Sequence, residues 1–284
     1  MKLKLNLIFF LLFPVLYYTQ TPNLKFDKKY FECEDMWVAF PKSDSDTAYS
    51  YGFIYLDEEA GFTFNFESKF KVTDDGEFYK TKKDTSWNIK MRLSPETKPV
   101  AIIPSDKIAE LELPPVPEWL RFYKQSSDSL NSLIRRGYHY NHVGASELAL
   151  NDLEKAYQIS KHAEQLEFEL AFAYNATKRF EKAEEILRLA IESDPNNLFY
   201  YRELGYSLIG QNKFEEAEMI YLKGIKLSND KFQQSEMAVN MAQVYFKQKD
   251  KRKFREWAKL TKKYADKDSD YLMYINYWEK EMNK

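Results

Sequence analysis

The chain has 284 residues, of which 44% are hydrophobic and 17% aromatic, and its formal net charge is −2. That hydrophobic share excludes a disordered chain, and the length exceeds the usual size of a single domain. The near-neutral balance excludes a global pull toward nucleic acid, and a total of only 8 glycines argues against phosphate-cradling loops.

Met1-Lys2-Leu3-Lys4 makes a short positive end, and the stretch from Leu5 to Tyr18 is almost wholly apolar. A charged start followed by an apolar run is the pattern of a secretory signal peptide. The run falls short of the roughly 20 residues that a spanning helix needs. Residues 1–20 are therefore expected to be a signal peptide, cut near Tyr18-Thr19-Gln20-Thr21. The rest is expected to be periplasmic or secreted, with no integral membrane span. Cys33 is the only cysteine. Without an internal disulfide, a packed core must hold the fold. Acidic Glu32, Glu34 and Asp35 disfavour a thiolate at Cys33, so a half-buried structural thiol is expected.

Residues 21–113 read as a β-rich domain, an antiparallel sheet of about six strands. Phe62, Phe64 and Phe66 alternate with Thr63, Asn65 and Glu67, and Trp87, Ile89, Met91 and Leu93 alternate with Asn88, Lys90 and Arg92. Period two predicts strands with one buried and one wet face. Shorter apolar runs lie at 36–40, 51–56, 78–80 and 100–103. Turn residues separate them at 57–61, 73–76 and 82–86. Pro114, Pro115 and Pro117 then end the strand pattern, so 114–129 is a stiff linker with a short helix at 118–123.

From residue 130 the period becomes helical, and it repeats. Gly137, Ala171 and Gly205 stand 34 residues apart, as do Tyr140, Tyr174 and Leu208, and Ala149, Ala183 and Ala217. Such a period predicts stacked units, each with an apolar face that its neighbours bury. These residues resemble the tetratricopeptide repeat family, whose unit is a pair of antiparallel helices packed close by small residues. The resemblance places repeats near 130–163, 164–197, 198–231 and 235–268, the last after three extra residues. It departs from the pattern at Arg136, Phe254 and Thr261. Residues 269–283 are expected to form a closing helix with Tyr271, Tyr274, Ile275 and Trp278 as its apolar stripe. The fold class is thus α+β in two domains, a β-sheet domain followed by an all-α repeat solenoid.

The resemblance implies a groove lined by the first helix of each pair. There it places Tyr138, Phe172 and Tyr206, with Asn141, Asn175 and Arg202 beside them. Aromatic rings supply contact area, and amides bond an extended backbone. The implied function is an exported scaffold that binds a partner protein or peptide. A clamp for a terminal carboxylate is not expected, because Arg202 is the single cation at the positions such clamps use. The alternative function is a glycan- or ligand-binding module using Tyr49, Tyr51, Phe53 and Tyr55 of the sheet. Residues 247–263 hold nine basic side chains against Asp250 and Glu256. A solvated outer face is the expected use, with Phe254 and Trp257 in the core. No nucleic-acid motif accompanies the charge. His139 and His142 lack further ligands for a metal. No catalytic motif is present, so neither an enzyme nor a cofactor is expected.

Overall fold

The computed structural model describes residues 24–81, 89–125 and 127–282. The expected signal peptide, the turn at 82–86, Trp87 and Asn283 lie outside them. The chain forms two units.

Within the first unit, a 3-10 turn at Tyr30–Cys33 leads into β1 (Met36–Ala39). It is followed by β2 (Tyr49–Asp57), β3 (Gly61–Val72), β4 (Phe78–Lys80), β5 (Lys90–Arg92) and β6 (Ala101–Ile102). The sheet order is β4-β3-β2-β1-β6, with β5 paired to β3. β1 pairs antiparallel with β2, Trp37 opposite Phe53, and with β6, Val38 opposite Ile102.

The expected wet face is absent from β2 and from the first half of β3, whereas Lys69 and Lys71 keep it in the second half of β3. Every residue of β2 from Tyr51 to Leu56 is buried, and so are Phe64 and Asn65 of β3. Successive side chains of a strand point to opposite faces, so both faces of β2 are covered. Trp37 meets the Phe53 ring edge-on at 5.2 Å, and Phe70 stacks on Phe78 at 4.4 Å. Gly52 lets β2 and β3 pass closely, because a Cβ there would stand 2.2 Å from the Asn65 carbonyl oxygen.

β5 departs from expectation in the opposite sense. All three of its residues are exposed, and Ile89 and Met91 stand 44% and 45% open. It pairs off the main strand path, so its apolar alternation has no covering layer among the described residues.

A six-residue helix, α1 (Ser105–Glu110), was not visible in the periodicity. Two turns are too short to show a 3.6-residue pattern. Glu110 accepts the Phe78 amide at 2.8 Å, and the Trp37 indole donates to the Pro114 carbonyl at 2.8 Å. The proline segment is thereby tied to the sheet. Cys33 is fully buried rather than half-buried, and burial together with Glu32 pushes its thiol up to about 11.

The second unit comprises residues 118–282 together with the β2–β3 tip, 56–63, and the stretch 92–96. A 3-10 helix spans Glu118–Tyr123. Four helix pairs follow: α2 (Leu130–His142) with α3 (Ser146–Ile159), and α4 (Leu166–Ala176) with α5 (Phe180–Ser193). Then come α6 (Leu198–Gly210) with α7 (Phe214–Leu227), and α8 (Lys231–Gln248) with α9 (Lys251–Tyr264). α10 (Asp270–Met282) ends the unit.

The period is written in the backbone as well as in the side chains. The turn inside each pair holds one residue at positive φ: Gly144, Lys178, Asn212 and Lys249. The last lies three residues late, and α8 is the longest helix at 18 residues. An insertion of about one helical turn keeps the same face inward, so the extra residues lengthen α8 instead of breaking the register. Small residues allow the close approach within a pair. A Cβ on Gly137 would lie 2.3 Å from Leu153, and one on Gly205 would lie 2.2 Å from the Tyr221 ring.

The departures from the repeat pattern have local answers. Arg136 pairs with Asp152 of α3 at 3.0 Å. Phe254 is buried, and the Thr261 hydroxyl donates to the Trp257 carbonyl at 2.9 Å, which satisfies it inside the helix. On α9, Phe254, Trp257, Ala258 and Thr261 face inward, while most of the basic residues lie outward. Ile275 and Trp278 of α10 are buried, and Trp278 stacks on Phe246 at 5.5 Å. Tyr274 leaves the expected stripe and stands 44% exposed.

At the other end, the β2–β3 tip covers α2. His139 bonds the Glu58 carbonyl at 2.9 Å, Phe62 meets the Tyr140 ring edge-on at 5.3 Å, and Ser132 and Arg135 bond Glu58 and Glu59. Gly61 has φ +85°, and a Cβ there would lie 3.3 Å from the His139 ring. Burial lowers the His139 pKa, against the bond from Glu58, which raises it.

Candidate functional site

The first helices of successive pairs, α2, α4, α6 and α8, pack side by side within the second unit. Two clefts lie along them. One, about 160 Å³, is lined by Tyr138, Asn141, His142, Phe168, Glu169 and Phe172. The other, about 240 Å³, includes Phe172, Asn175, Arg202, Tyr206, Tyr221 and Glu236 in its lining. Phe172 is shared, so the clefts are neighbours on one face.

The aromatic ladder is open to this face. Tyr138 is 44% exposed, Tyr206 is 48% exposed and Phe172 is half-buried. Each ring also touches one of the chain's own rings. Tyr138 stacks on His142 at 6.0 Å, Phe172 lies 6.4 Å from Phe168, and Tyr206 lies 6.3 Å from Phe180. These contacts steady the rings without covering Tyr138 and Tyr206.

The two asparagines do not have the place the sequence assigned them. Asn141 and Asn175 are buried, at 6% and 4% exposure. The Asn141 amide donates to the carbonyl and the carboxylate of Glu169 at 2.9 and 2.8 Å. Asn175 donates in the same way to Glu203, both bonds at 3.1 Å, and accepts from the Ser207 hydroxyl at 2.7 Å. Each amide therefore clasps the next repeat and has no hydrogen left for a partner's backbone. The glutamates were missed, although Glu169 and Glu203 recur at the 34-residue step, each 28 residues after its asparagine. That shared spacing was the available signal.

Arg202 is likewise engaged within the fold. Its Nε and Nη2 donate to Glu203 at 3.1 and 3.0 Å, and Nη1 donates to Gln233 at 2.8 Å. Its guanidinium lies 5.5 Å from the Phe168 ring centroid and 5.4 Å from that of Phe199. Glu236 stands 3.7 Å from Nη1. Burial raises the carboxyl of Glu236 above the usual range, with Arg202 opposing and Glu203 adding to the rise. Burial also raises Glu169, against the bond from Asn141.

The sheet residues considered for ring stacking are not available. Tyr51, Phe53 and Tyr55 are fully buried, and Tyr49 is half-buried between Phe26 and Phe70. A sugar ring has no access to Tyr51, Phe53 and Tyr55, and Tyr49 alone makes no stacking platform, so these residues do not support the glycan-binding alternative.

Residues 144–205 match a family model described as tetratricopeptide repeat, and residues 200–231 match a second model of the same description. The chain contains tetratricopeptide repeats. Repeats of this kind are protein-interaction scaffolds, with extended binding surfaces built by stacking. Similar solved structures include a thermophilic TPR protein of Thermus thermophilus, at 16% identity over 56% of this chain and 85% of that chain, TM-score 0.47. PilF of Pseudomonas aeruginosa is 18% identical over 54% of this chain and 69% of that chain, TM-score 0.44. MamA from Desulfovibrio magneticus RS-1 is 15% identical over 58% of this chain and 87% of that chain, TM-score 0.43. No curated protein matches the chain.

Proposed function

We propose that the protein is an exported, non-enzymatic scaffold that holds a partner protein or peptide on the inner face of its tetratricopeptide repeats. The observation that carries this reading is the exposure of Tyr138 and Tyr206 on either side of Phe172, along two adjoining clefts. What sets these rings apart from the unit's other exposed apolar side chains is that they line adjoining clefts on one face, and a contiguous open patch of that kind marks an interaction surface. The asparagines and Arg202 shape that surface by fixing one repeat against the next. Export is supported by the positive start and apolar run of residues 1–18. Among the described residues, no helix is long and apolar enough to cross a membrane.

A pulldown from the native envelope fraction tests the reading. The wild type is compared with a Tyr138→Ala/Phe172→Ala/Tyr206→Ala variant. Loss of specific partners by the folded variant is the expected result, and an unchanged set of partners would count against the groove.

A further inference from the structure

Both clefts of the inner face carry the same chemical imbalance. In the first, Asn141 is more than nine-tenths buried and its Oδ1 has no hydrogen-bond partner among the described residues. The matching Oδ1 of Asn175 accepts from Ser207, whereas the residue 34 positions before Ser207 is Ala173, which has no donor. In the second cleft, Oε2 of Glu236 has no hydrogen-bond partner among the described residues and meets Arg202 only at the ion-pair distance of 3.7 Å. Arg202 is the one cation among the described residues lining that cleft, and it faces both Glu203 and Glu236. Two carboxylates thus share one guanidinium, and the nearer takes two of its donors. The unmet groups on this face are acceptors in both places.

The walls ask for the same kind of ligand. Tyr138, Phe172 and Tyr206 supply aromatic rings to the cleft lining, and such rings attract cations and accept the apolar stems of long basic side chains. The chain already uses this arrangement beside the second cleft, where the Arg202 guanidinium lies against Phe168 and Phe199 with carboxylates at its edge. The Glu236 side chain is 29% exposed, and a charge-assisted contact to a partly buried carboxylate gains more than one on open surface.

We propose that the groove binds a segment presenting lysine or arginine side chains, their stems on Tyr138, Phe172 and Tyr206 and their charged heads against the acidic lining of the clefts, Glu169 in one and Glu203 and Glu236 in the other. This rests on the inner face being the binding face. The complementarity is the reverse of a carboxylate clamp, since Arg202 is already neutralised.

The test is a random peptide library displayed on phage, selected on the purified protein and counter-selected on the triple ladder variant. Ladder-dependent peptides are expected to carry lysine or arginine. Exchanging that residue for glutamine, or making Glu236→Gln in the protein, is expected to weaken binding by about tenfold, the scale of one charge-assisted contact. Thermal melts establish that Glu236→Gln, which keeps the side chain's shape, stays folded. Ladder-dependent peptides that lack basic residues, or that bind Glu236→Gln as tightly as wild type, overturn this proposal and leave the groove standing. A selection that yields no ladder-dependent peptide overturns both.

Discussion

Aromatic residues take opposite parts in the two units. In β2, Tyr51, Phe53 and Tyr55 are fully buried, while in the repeats Tyr138 and Tyr206 stand 44% and 48% exposed. The difference lies in what surrounds each backbone. A central strand covered on both faces has no outward side, so its rings become core whatever their chemistry. A helix pair turns one stripe to its neighbours and leaves another stripe free, and the 34-residue step lines up the free stripes. Aromatic content alone therefore says little about binding.

Several changes break or sharpen this contrast. Phe64→Ala in the sheet removes a fully buried ring and is expected to cost about 3–5 kcal/mol, read as a fall in the urea midpoint. In the repeats, Asn175→Ala strips the clasp from Glu203 and Ser207 and is expected to cost about 1–3 kcal/mol. Equal losses for Asn175→Ala and for alanine at Tyr206 would erase the distinction between seam and surface.

The β2–β3 tip on α2 supplies a pH signature. Burial lowers the His139 pKa in the folded state, so the unfolded chain takes up the proton first. Stability contributed by neutral His139 is present above the unfolded value near 6.5 and declines as pH falls below it. Urea melts between pH 7 and 5 should show that slope, and His139→Gln should flatten it. The smallest effect expected is a gain. Ala173→Ser places a hydroxyl where Ser207 serves the next clasp, and should stabilise by about 1 kcal/mol if it reaches Asn141 Oδ1.

Much of the repeat unit was legible because its steric rule is periodic. Gly137 and Gly205 can be read as close-packing sites without seeing Leu153 or Tyr221, since only a small residue fits the helix crossing. In the sequence the asparagines look like surface amides, because their partners lie 28 residues away and no local pattern joins them. In the sheet, the alternation at 62–66 correctly marks a strand, but period two does not say whether a second layer covers the polar side. The three-residue β5 shows the converse, since its apolar alternation, without a covering neighbour among the described residues, stays exposed.

The most direct test of the ladder is to separate its stability from its binding. In a Tyr138→Ala/Tyr206→Ala variant, the urea midpoint should move less than in Phe64→Ala, because nearly half of each tyrosine is already solvated, and retention of the partner should fall at least about tenfold. A folded variant that holds the partner as tightly as wild type would contradict the account.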